Sequence, residues 1–130
     1  MDHKLTVFTT ILSNEDLRST LKQLLDIMAK LSTEEVDIMF GFAWGLEYKD
    51  WTPFRVQTSA VLMEIQKAEE LKVGSLGHDD FHLIFDDLQT EIIICHESDI
   101  HLNYNTENNL TSNMMNYFDS RNLVAHIKTV

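Results

Sequence analysis

FHLIFDDLQTEIIICHESDIHLNY, residues 81–104, is the stretch that decides the fold. It holds three short runs rich in β-branched and aromatic side chains: Phe81 to Phe85, Thr90 to Cys95 and Asp99 to Tyr104. The connectors Asp86-Asp87 and His96-Glu97-Ser98 are hairpin-sized, and connectors this short join antiparallel neighbours. The stretch reads as a β-meander.

Working outward toward the N-terminus, Gly74 and Gly77 mark a turn. Before them Val61, Leu62, Ile65, Ala68 and Leu71 recur at helical spacing, predicting a helix that ends near Lys72. Two starts are open. Thr52-Pro53 places a proline at the first helical position. Alternatively, Phe54 to Gln57 is extended and Thr58 or Ser59 caps the helix. From Val36 to Leu46 the period is two. Val36, Ile38, Phe40, Phe42, Trp44 and Leu46 form a bulky face, while Met39, Gly41, Ala43 and Gly45 form a nearly bare one. Leu17, Leu21, Leu24, Leu25, Met28 and Leu31 predict an amphipathic helix from about Asn14 to Leu31, with Ser13 and Asp16 placed to cap it. Lys4 to Leu12 reads as a strand. Beyond the meander, Asn105 to Asn109 is a polar turn, Leu110, Met114, Tyr117 and Phe118 suggest a short helix, and Leu123 to Ile127 a last strand. The order β-α-β-α-β-β-β-α-β predicts one α+β domain over residues 1–130, with two to three helices on a largely antiparallel sheet.

The chain has 130 residues, 44% hydrophobic and 24% charged, which fits a globular protein rather than a disordered one. Ten Lys and Arg against 21 Asp and Glu give a formal charge of −11. Such a balance disfavours nucleic acid and anionic membranes as partners. Between Lys72 and Arg121 there is no Lys or Arg, yet Asp79, Asp80, Asp86, Asp87, Glu91, Glu97, Asp99, Glu107 and Asp119 fall there. If the fold keeps the basic residues of the first half away, this half presents a negative face to a cationic partner. The run from Leu5 to Leu12 is too short and polar for a signal or a membrane span. With the lone Cys95, this leads to the expectation of a cytoplasmic protein.

Four constellations bear on chemistry. His78 and His82 are spaced i, i+4, but the residues around them read as a turn into a strand rather than a helix. On strands, His82 and His101 would face each other across the sheet. His96, Glu97, Asp99 and Cys95 lie nearby, and these donor types suit zinc or another transition ion. The pairs Asp79-Asp80 and Asp86-Asp87 offer acid–base groups, but neighbours on a strand diverge, so capping or turn roles are expected. Cys95 and His96 are the only Cys/His neighbours, and on a strand they too would diverge, leaving Cys95 buried and inert. Finally, Tyr48 and Trp51 interleave with acids in a polar loop, the usual setting for interface anchors. No phosphate loop, G-x-S-x-G or H-E-x-x-H occurs.

In size, acidic second half, α+β order and stretches such as IIICHESDIHLNYN (residues 92–105), the chain resembles the small acidic immunity proteins of bacterial polymorphic and contact-dependent toxin systems. The resemblance covers the character of the whole chain rather than one motif. It implies a non-enzymatic inhibitor that blocks a basic cognate toxin domain by steric occlusion and charge complementarity. Asp79, Asp80, Asp86, Asp87, Glu97 and Asp99 would steer and pair, with Trp51 and Tyr48 as anchors. That reading requires no catalytic residue, cofactor or metal. The alternative is a small metal-binding enzyme or sensor domain using His82, His96, His101 and nearby carboxylates. A third possibility is self-association through an exposed strand edge.

Overall fold

A computed structural model of the chain describes residues 3–40 and 52–129. Among these residues, seven strands form one sheet. They are β1 (Leu5–Thr9), β2 (Glu35–Phe40), β3 (Phe54–Gln57), β4 (Phe81–Phe85), β5 (Thr90–Ile94), β6 (Ile100–Tyr104) and β7 (Val124–Thr129). Their order across the sheet is β3-β2-β4-β5-β6-β1-β7, and each pairing is antiparallel. Three helices accompany it: α1 (Asn14–Lys30), α2 (Val61–Glu70) and α3 (Asn109–Ser120). The protein is therefore α+β, as its sequence pattern predicts.

The helices bury one face of the sheet. Across five strands, Ile38, Leu83, Ile92, Leu102 and Val7 stand in register, and all are buried. They join Leu17, Leu21, Leu24 and Met28 of α1, Val61 and Ile65 of α2, and Leu110, Met114 and Phe118 of α3 in one core. Each large side chain so buried contributes about 1.5–3 kcal/mol of transfer free energy. The capping predicted for α1 is present, with Ser13 Oγ accepting from the Asp16 N–H at 3.1 Å. The asparagines near 105 do turn and capping work. Asn108 Oδ1 accepts from the Thr111 N–H at 3.0 Å while Thr111 Oγ1 accepts from the Asn108 N–H at 2.9 Å. This reciprocal pair satisfies two donors that a helix start otherwise leaves open.

Of the two starts left open for the second helix, the extended one holds: Phe54–Gln57 is a strand, and the helix does not start at Pro53. Neither Thr58 nor Ser59 caps it. Residues Thr58–Ala60 form a 3-10 turn, and Thr58 Oγ1 instead donates to the Thr33 carbonyl at 2.7 Å. The first strand stops at Thr9, because the ladder is irregular between Phe8 and Thr9 and Thr9 Oγ1 accepts the Ile100 N–H at 2.9 Å. Of the long strand expected over Val36–Leu46, the described part is Glu35–Phe40, and its bulky residues Val36, Ile38 and Phe40 are buried as expected. The remainder of that stretch lies outside the described residues, as do Tyr48 and Trp51.

Candidate functional site: a histidine–carboxylate face

The side chains that alternate with the core residues form the opposite face of the sheet. The register lays them out in rows. One row runs Met39, His82, Ile93, His101, Phe8 and His126 across β2, β4, β5, β6, β1 and β7. The next runs Asp37, Ile84, Glu91, Asn103, Thr6 and Lys128. His82 and His101 do share a face, but Ile93 stands between them. They are two strands apart, roughly 9.5 Å at the usual strand spacing, so they do not converge on one ion.

His82 instead joins Glu91, its Nδ1 lying 3.1 Å from Oε2. Glu91 also meets His3 at 3.6 Å and accepts from Asn103 Nδ2 at 3.4 Å. Burial raises the Glu91 pKa, but the bond to His82 and its charge, with Asn103 and His3, outweigh it, and the net shift is downward.

At the end of the sheet where β4 begins and β5 turns into β6, a denser group forms. Extending the β4–β5 register one residue past Phe81–Ile94 sets Asp80 beside Cys95. On the other side, the Cys95 N–H donates to the Asp99 carbonyl at 2.8 Å. Cys95 is thus flanked by two carboxylates. His96 Nδ1 lies 2.8 Å from Asp80 Oδ1 and 3.7 Å from Cys95 Sγ, and His101 Nε2 lies 3.0 Å from Asp99 Oδ2. Two triads result, Asp80–Cys95–His96 and Cys95–Asp99–His101, and within each the ligand atoms lie within 4.8 Å of one another. Cys95 is buried, as its sequence position suggested. However, the expected divergence of Cys95 and His96 does not hold. The strand ends at Ile94, and a turn closed by Ser98 N–H to the Cys95 carbonyl at 3.0 Å folds the two side chains together. Burial, and then the Asp99 and Asp80 carboxylates, push the Cys95 thiol up to about 12. The His96 imidazole is shifted up, chiefly by its hydrogen bond to Asp80.

The six acids singled out from the sequence separate into distinct roles. Asp79 is 3% exposed and accepts the Ser75 N–H at 3.1 Å, so it holds a turn and offers no surface to a partner. Asp80 and Asp99 are half-buried and bonded to histidine. Asp86, Asp87 and Glu97 are exposed. Asp86 and Asp87 form the 3-10 turn at the far end of β4, about 20 Å from Asp80 at roughly 3.3 Å per residue. The acids therefore make two groups rather than one patch. Arg55 from the first half reaches the Asp87 group. It hydrogen-bonds Asp37 at 3.0 Å, lies 3.9 Å from Glu35 and feels the charge of Asp87.

Among the described residues, ion pairs divide by the type of cation. Arg18, Arg55 and Lys67 pair with Glu69, Asp37 and Glu64, all from the first part of the chain. Asp80, Glu91, Glu97 and Asp99 pair with histidines. Sequence reasoning missed Glu91, Asn103 and His3 as members of this face. The parity of Glu91 with Ile93 and Cys95 along one strand is the signal that would have found Glu91. A surface concavity of about 830 Å³ between α1 and the Thr58–Ala60 turn is lined by residues such as Lys22, Asp26 and Leu62 and shares none with the histidine face. No described helix is long and apolar enough to cross a membrane. Comparison of the chain with protein-family models, curated proteins and solved structures found no match.

Proposed function

We propose that the protein is a non-enzymatic binding protein that captures a cationic protein partner, as an immunity protein against a basic toxin domain. The observation that carries this reading is the division of counter-ions. Arg18, Arg55 and Lys67 pair with Glu69, Asp37 and Glu64 of the first half. Asp80, Glu97 and Asp99 at the β5–β6 turn are met by His96 and His101 and, among the described residues, by no lysine or arginine. At the other end of β4, Glu35, Asp37 and Asp87 share one guanidinium, that of Arg55. The two acidic ends stand about 20 Å apart, a span that fits within one partner's share of a standard interface, about 800 Å². Long-range attraction would accelerate docking, and steric cover would do the inhibiting.

Asp86, Asp87 and Glu97 are the acids to test, because they are exposed and the side-chain contacts of Asp87 and Glu97 are charge pairs rather than hydrogen bonds. The experiment is co-expression with whichever positively charged domain the neighbouring reading frames encode, followed by stopped-flow association. The expected results are protection of growth, a stable complex, and association slowed about tenfold both by raised salt and by D86K/D87K/E97K. An association rate indifferent to both would overturn the reading.

A further inference from the structure

We propose that the β5–β6 turn is a transition-metal site for one zinc-class divalent ion, with Cys95 Sγ, an Asp99 carboxylate oxygen and a His101 ring nitrogen as its protein ligands. The site is argued from different observations than the partner-binding reading, and an ion bound there would take Asp99 out of the acidic group offered to a partner and leave Asp80, Glu97, Asp86 and Asp87 in it. Its ligands come from one hairpin. Cys95 and Asp99 are cross-strand neighbours tied by a 2.8 Å backbone hydrogen bond, and His101 follows two residues on, on the same face. The backbone ladder, rather than flexible side chains, therefore fixes where the donors point.

Two observations favour this triad over Asp80–Cys95–His96, and a third sets the class of ion. First, its members are the more enclosed. Cys95 is 6% exposed and the Asp99 and His101 side chains 14% and 21%, against 24% and 39% for Asp80 and His96. Second, Asp99 Oδ1 is shielded from solvent and has no hydrogen-bond partner among the described residues, although Oδ2 is bound to His101. A buried carboxylate oxygen without a donor is costly, and a cation beside it removes that cost. Third, one sulfur, one nitrogen and one oxygen within 4.8 Å of one another form a donor set suited to Zn²⁺ or Co²⁺ and poorly suited to Ca²⁺ or Mg²⁺. Coordination through sulfur releases the thiol proton to solvent. His96 Nδ1, 3.7 Å from the same sulfur, is a protein group within reach of a fourth position.

The test is titration of the full chain with Co²⁺ followed by displacement with Zn²⁺. One equivalent of Co²⁺ should give sulfur-to-cobalt charge transfer in the near ultraviolet and tetrahedral bands in the visible, and Zn²⁺ should abolish both. The charge-transfer band should vanish in C95S, and affinity should fall at least tenfold in D99N and in H101A. H82A and D86K/D87K, which leave the triad untouched, should bind as the parent does. Circular dichroism of each variant without metal keeps a folding defect separate from a lost ligand. If C95S does not fold, the D99N and H101A affinities decide. Absence of the sulfur band, or a band indifferent to D99N and H101A, overturns the site and leaves only adventitious binding to surface carboxylates.

Discussion

Removing the Glu69 carboxylate should loosen the junction between α1, α2 and the turn that leads into β4. Arg18 on α1 makes two hydrogen bonds to it, one from Nη1 to Oε1 at 2.9 Å. Ser75 Oγ and the Leu76 N–H also donate to Oε2, each at 3.3 Å. Buried, a charge-assisted fork of this kind is worth about 1.5–3 kcal/mol. Here the side chains are 41% and 22% exposed, so solvent screening reduces the coupling to about 1 kcal/mol. Loss of the two longer bonds brings the expected cost of E69A to about 1.5–2 kcal/mol. The assay is urea denaturation of the parent, R18A, E69A and the double variant, with the cycle giving the Arg18–Glu69 coupling. Burial raises the Glu69 pKa, but the Arg18 bonds and charge, with Leu76 and Ser75, bring it below the ordinary 4.5. A depressed carboxylate contributes stability that is complete above 4.5 and is lost as pH falls through the folded value. The coupling should therefore hold at neutral pH and fade in acid. A coupling below about 0.3 kcal/mol at neutral pH, or one that persists in acid, would show that the fork does not join these elements.

Glu91 gives a second pH signature. Its folded pKa is also depressed, so the parent should lose stability as pH falls below 4.5, and E91Q should flatten that limb in a series of denaturation midpoints. G74A should destabilise by about 1–3 kcal/mol, since a Cβ there meets the Phe40 ring at 2.8 Å and that ring is buried against Phe81 at a centroid distance of 4.9 Å. A change below 0.5 kcal/mol in urea would mean that the ring yields freely. N108A should cost about 1–2 kcal/mol, because the residue caps α3 and its Nδ2 donates to Thr90 Oγ1 at 3.1 Å. N108D, which keeps the cap and loses that donor, should recover about half, read as thermal midpoints.

The meander was legible because its signals are local. Alternating apolar residues and short connectors fix strands 81–85, 90–94 and 100–104 without reference to the rest of the chain. The α1 stripe was legible for the same reason. What the sequence concealed depends on register between distant segments. β1 sits between β6 and β7, partners about a hundred residues away, and no pattern within Leu5–Thr9 selects them. The second half's bias toward acid was visible, but not which acids would be used internally. Asp79 and Asp80 are adjacent, yet one is enclosed by the Ser75 turn and the other bonds His96. The Cys95 cluster was half legible. Cys95, Asp99 and His101 share strand parity, but the rule that neighbours diverge was applied one residue past the point where β5 ends.

The place of β1 in the sheet has a consequence for synthesis. As the chain leaves the ribosome, the first strand appears long before either neighbour: Leu5 pairs with Tyr104 on one side and Thr129 on the other. Until then its amide and carbonyl groups have no ladder to join. Closure over so long a loop is entropically slow. The growing polypeptide therefore carries an unsatisfied ribbon at Leu5–Thr9 while the residues up to β6 and β7 are made, an interval in which a holding chaperone has a defined segment to protect.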